Sequence, residues 1–161
     1  MRKVLLGSLL CLTIGASAAV ADPPRERAPL FLRFTVVTGN DDLRGGHDSV
    51  RASVIINGVE TRAYLLNQRG QRWADRSTHE TTIPLPPDTY AGHLQKVVMT
   101  TTFRGGIDGD NWNMQSVRID LTDSSRRMYF PVGSHGFKRF TGSDQRLEIP
   151  LNLPAPSPVR K

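Results

Sequence analysis

Two short runs hold most of the side chains able to do chemistry. "NDDLRGGHDS" at residues 40–49 sets Asn40, Asp41, Asp42 and Asp48 around Arg44, a glycine pair and His47. "FRGGIDGDNWNM" at 103–114 repeats Arg-Gly-Gly-x-Asp through Arg104 and Asp108, then adds Asp110 and Asn111. Such runs are open to three chemistries. Calcium takes roughly six to eight hard oxygen ligands from flexible loops rich in Asp, Asn and carbonyls. Arg-Gly-Gly binds RNA when many copies are strung along a disordered tail. Asx and Gly together also make tight turns, the glycines supplying positive φ and the Asx side chains bonding their own backbone.

Two isolated copies set between strands do not fit the RNA-binding form, so nucleic acid is excluded as a partner. The spacing does not match the D-x-[DN]-x-[DN]-G calcium loop, and on residue type alone turn chemistry is favoured over metal. No enzyme signal is found. His47, His79, His93 and His135 lack metal-ligand spacing, "HETTI" lacks the second histidine of a zincin, and "GSHG" is not a nucleophile elbow. The two tryptophans divide differently. Trp112, just ahead of a strand, is expected to anchor the core or a loop. Trp73, between two arginines in "RWADRSTH", is the candidate for a membrane interface or for stacking on a sugar.

The positioning elements read as β throughout. Residues 1–21 form a charged start, an apolar stretch and an A-x-A site, which predicts a secretory signal peptide rather than a membrane span. Cys11, the single cysteine, leaves with it, so the mature chain has no disulfide and no thiol chemistry. The formal charge of +6 falls to +4 without Arg2 and Lys3, a balance that suits anionic partners. Eight strands are expected: "LFLRFTVVTG", "SVRASVIING", "ETRAYLLN", "HETTIPL", "LQKVVMTTTF", "MQSVRIDLT", "RRMYFPV" and "QRLEIPLNL". Period-two alternation marks the second, and Asn57-Gly58 after it signals a type I′ hairpin. Many short strands with turns between them predict one antiparallel sandwich over residues 30–153, flanked by proline-rich disordered ends at 22–29 and 154–161.

"FTVVTGNDDLRGGHDSVRASVIINGVE" resembles the opening of PLAT (lipoxygenase-homology) domains, through Thr38-Gly39, Gly46-His47-Asp48, Val50 and Val54. "DNWNMQSVRIDL" is similar to the family's Trp-x-hydrophobic strand through Trp112, Met114, Val117 and Ile119. It departs in having His47 for the usual Thr, a doubled RGG, and no closing Trp-containing strand. The resemblance implies an all-β sandwich of two four-stranded sheets serving as a non-catalytic binding module for a membrane surface or a partner protein, with calcium in the loops at one end. By that match Asp48 is the first metal ligand to name; Asp41, Asp42, Asp108 and Asp110 join it from composition. Arg44 and Arg104 are expected beside the rim, contacting phosphate or sulfate. The alternative is a carbohydrate-binding sandwich using Trp73, and in either case the protein is expected to be secreted or periplasmic.

Overall fold

The computed structural model describes residues 28–103, 111–124 and 130–153. The expected signal peptide, both proline-rich ends except residues 28 and 29, and most of the second RGG run lie outside them.

Among the described residues ten strands form two antiparallel sheets packed face to face. In the first, β5 (Thr78–Pro84), β1 (Leu30–Thr38), β7 (Trp112–Asp123) and β8 (Phe130–His135) follow one another, and β9 (Lys138–Phe140) also pairs with β7. In the second the order is β10 (Arg146–Pro150), β6 (Leu94–Thr101), β2 (Val50–Ile56) and β3 (Val59–Glu60), with β4 (Tyr64–Leu65) also on β2. The expected all-β antiparallel sandwich is what the chain forms, with five strands in each sheet rather than four.

Strand β1 shows why. Leu32, Phe34, Val36 and Thr38 alternate with less buried neighbours and turn inward, so one strand delivers four core residues to one face. Ala52 and Val54 of β2, Val97 and Met99 of β6, and Val117 and Ile119 of β7 meet them. Burying each such side chain contributes about 1.5–3 kcal/mol. The hairpin turn holds as expected, with positive φ at Asn57 (49°) and Gly58 (81°). "ETRAYLLN", expected as one strand, is instead the pair of two-residue pieces β3 and β4, interrupted between Thr61 and Ala63. "KRF" is an additional short strand that period-two reading does not reveal.

Both outer sheet faces are crossed by ion pairs. On the second sheet Arg146 bonds Glu60 (3.2 Å) and Glu148 (3.0 Å), and Lys96 bonds Glu148 at 2.7 Å. The Ser53 hydroxyl, and after it Arg146, holds the Glu60 carboxyl below its ordinary range. These networks carry both signs in equal measure.

Strand direction sorts the connections. Residues 39–49, 66–77 and 141–145 lie at one end, here the upper end, together with the strand ends Phe103 and Asn111 that bracket the second RGG run. Strand β1 begins and β10 finishes at the opposite end.

Candidate functional site

Among the described residues, the first RGG run is partnered by the connection before β5. Residues 39–46 run antiparallel to 70–77, joined by Leu43 N–H to Trp73 O (3.0 Å), Trp73 N–H to Leu43 O (2.9 Å), Gly46 N–H to Gly70 O (2.8 Å) and Arg76 N–H to Gly39 O (2.8 Å). Gly45 (φ +83°) sits so close that a Cβ there would be 2.2 Å from the Gly70 oxygen and 2.8 Å from the Arg72 nitrogen. A Cβ on Gly70 would in turn be 2.7 Å from the Gly46 oxygen. Backbone lies on backbone with no room for a side chain, which is the reason for glycine at both positions. Asn67, fully buried, pins the base of this clasp: its Oδ1 accepts from Val50 N–H (3.0 Å), and its Nδ2 donates to the Asp48 (3.1 Å) and Gln71 (3.3 Å) carbonyls. The Thr102 hydroxyl ties the His47 carbonyl (2.8 Å) to the end of β6.

Beneath the clasp runs a row of rings. His79 stacks on Trp73 (centroids 4.6 Å apart), Trp73 meets Trp112 edge-on at 5.8 Å, and Trp112 stacks on Phe140 at 5.3 Å. This corrects the expected place of Trp73. The short ribbon alternates its side chains, so Leu43 and Trp73 turn inward and the flanking Arg72 and Ala74 turn out. At 1 % exposure Trp73 offers no face to a sugar or a membrane; Trp112 is the core anchor it was expected to be. The Ser77 hydroxyl donates to the Ala74 carbonyl (2.5 Å) and lies 2.7 Å from His79 Nε2. The hydroxyl and the imidazole thus form a hydrogen bond whose direction depends on the histidine tautomer.

Outside the clasp the same alternation collects charge. Arg44 and Arg72 are exposed, Arg69 and Arg76 stand on the adjoining turns, and Asp42 lies between them. Arg72 Nε binds the Asp42 carboxylate, Arg76 Nε binds Asn40 Oδ1 (3.1 Å), and Arg139 of β9 approaches Asp41 at 3.6 Å. Asp41 and Asp42 therefore face guanidinium groups, not each other. The half-buried Asp48 stands apart: its main chain closes the turn, N–H to Gly45 O at 3.0 Å and carbonyl to Asn67. Among the described residues no three acids or histidines are gathered to hold a metal ion. Asp42 is hydrogen-bonded to Arg72 and Asp41 lies 3.6 Å from Arg139, so a cation on either would compete with guanidinium charge. Asp108, Asp110 and Arg104 lie outside the described residues.

With this geometry in hand, the fold can be placed among solved structures. A crystal structure of a LOX (lipoxygenase) deletion variant superposes over 77 % of this chain and 17 % of its own, with a TM-score of 0.51 and 15 % identity. Alpha toxin from Clostridium absonum superposes over 78 % of this chain and 32 % of its own, with a TM-score of 0.53 and 11 % identity. The chain thus spans a minor part of the length of each, and what they share is a PLAT/C2-like β-sandwich fold. No sequence family and no curated protein matches the chain.

Sequence reasoning missed Asn67, Arg69, Arg72, Arg76 and Arg139. The signal that could have found them is "NQRGQRWADR", whose Arg-Gly and alternating arginines mirror the RGG run across the ribbon.

Two outcomes test the clasp. Gly45→Ala should cost about 3 kcal/mol or more through combined clash and strain. Gly46→Ala, with open space around it, should cost about 1 kcal/mol; urea unfolding separates them. Burial lowers the His79 pKa from the ordinary 6.5. The unfolded chain then binds that proton more readily, so stability present above 6.5 is lost as pH falls through the lowered value. Tm should decline across that window in the parent and stay flatter in His79→Phe, which keeps the stack without the proton.

Proposed function

We propose that this protein is an exported, non-catalytic binding module that docks its upper end onto an anionic lipid surface. The observation that carries the reading is the backbone on which its arginines stand. Arg69 and Arg76 hold φ of 58° and 56°, a left-handed conformation that costs a residue with a Cβ about 1–2 kcal/mol. Both side chains are exposed, so the fold gains little packing in return. Glycine or asparagine would suit either turn better. An outlier of this kind points to selection for the side chain itself, and what these side chains offer is positive charge on a rigid rim.

Arg44 and Arg72 extend the rim. The β8–β9 connection adds Phe137, 58 % exposed, two residues before Arg139, whose guanidinium faces the first loop. Cations beside an exposed aromatic suit the boundary between headgroups and acyl chains, where each Lys or Arg near an anionic leaflet contributes about 1 kcal/mol. The PLAT/C2-like fold and the positive net charge support the same reading, as the signal-like N-terminus supports export.

Flotation with phosphatidylserine-containing vesicles provides the test. Binding should weaken as salt rises, because rim charges are screened. Arg69→Gly should leave stability unchanged or raise it by up to about 1 kcal/mol and weaken binding about fivefold. Equal binding by the variant, or no adsorption even at low salt, would sink the proposal.

A further inference from the structure

Loops rich in Asp and Asn at the end of such a sandwich invite a divalent cation as the bridge to lipid phosphate. The upper end is built differently. Each of the three consecutive side chains Asn40, Asp41 and Asp42 has a guanidinium facing its oxygen, from Arg76, Arg139 and Arg72 respectively. These arginines come from two distant stretches, 66–77 and β9, and converge on one loop.

The pairs are lopsided in exposure. The Asp42 side chain keeps 16 % of its surface while Arg72 keeps 67 %, and Asp41 keeps 35 % against 51 % for Arg139. In these two pairs the acid is the more covered partner and the cation the more exposed, so the face formed by Arg72 and Arg139 is positive. Asp75 and Asp144 are exposed elsewhere at this end. The contacting atoms matter as well. Arg72 and Arg76 are both held through Nε, which leaves the two terminal nitrogens of each guanidinium directed away from the bond that fixes it. That edge is the one that grips two oxygens of a phosphate. A calcium ion on Asp41 and Asp42 would have to displace two guanidinium groups and then sit against their charge.

We infer that the arginines fill the role of the divalent cation: the loop is organised by the chain's own guanidinium groups, and docking proceeds without calcium, with Arg72 and Arg76 taking the phosphate of an anionic phospholipid. This rests on the lipid-docking reading, and the experiment keeps the two apart. Binding to phosphatidylserine/phosphatidylcholine vesicles is measured in EDTA and in millimolar calcium, alongside thermal unfolding in both media. The expected result is vesicle affinity equal within about twofold and an unchanged Tm, since a ligand of the folded state would raise Tm by mass action. Arg72→Lys/Arg76→Lys, which keeps the charge and loses the two-nitrogen edge, should bind several-fold more weakly in either medium.

Vesicle binding that requires calcium, or a wild-type Tm that calcium raises and Asp48→Ala returns to its EDTA value, would overturn the inference and leave lipid docking standing. A lysine variant that binds like wild type would overturn the guanidinium–phosphate contact. Absence of vesicle binding in both media would remove the docking reading and this inference with it.

Discussion

The upper end of this sandwich depends on one close approach, the crossing of Gly45 and Gly46 over Gly70. Because two backbones touch there, the connection after β1 and the one before β5 behave as one ribbon. Ribbon geometry then dictates the rest. Leu43 and Trp73 are forced inward on one side, where Trp73 completes a row of rings from His79 to Phe140. Arginines are forced outward on the other. The charge pattern of the rim and the packing of the core beneath it are two faces of the same few hydrogen bonds. Rigidity follows, since buried Asn67 and the aromatic row leave the ribbon no alternative way to satisfy its polar and apolar groups.

Electrostatics at this end are set by which partner of each pair is covered. Counting charges would call the two connections neutral, since Asp41, Asp42, Asp48 and Asp75 match Arg44, Arg69, Arg72 and Arg76. Depth separates the partners in the Asp42–Arg72 and Asp41–Arg139 pairs, while Asp75 is exposed. Carboxylates on short side chains stay close to the backbone, while guanidinium groups on long stems reach past them into solvent. Surface pairs of this kind add little to stability, about 0–1 kcal/mol each. On the lipid-docking proposal, their value lies in orienting a donor edge before a phosphate arrives.

Much of the fold was legible because its signals are local. Alternation in β1 and β2, the Asn57-Gly58 turn and the sequence of strands all come from residues within a few positions of one another. The resemblance to PLAT domains was legible for a related reason. Thr38, Gly39 and Trp112, on which it leans, meet where β1 passes β7, with Gly39 N–H on the Asn113 carbonyl at 2.6 Å. Such close crossings restrict residue choice and so leave a pattern. What the sequence did not disclose was partnership. Nothing in the first RGG run points to its partner Arg69-Gly70, a match fixed by how β4 and β5 place the intervening chain. Trp73 was misjudged because arginine neighbours suggest exposure, while in an extended ribbon a residue and its neighbours face opposite ways. Asp41 and Asp42 looked like metal ligands because Arg72 and Arg139, distant in sequence, are adjacent only once both sheets have formed.

The path of the chain gives the module a polarity. Strand β1 starts and strand β10 ends at the pole opposite the arginine rim, and a nine-residue strand separates the poles by about 30 Å. The points where the chain enters β1 and leaves β10 therefore lie a sandwich's length from any surface the rim touches. Copies carried by a common scaffold through either terminus could all face the same way, and avidity between them would be governed by the reach of their linkers, with no contact needed between the sandwiches themselves.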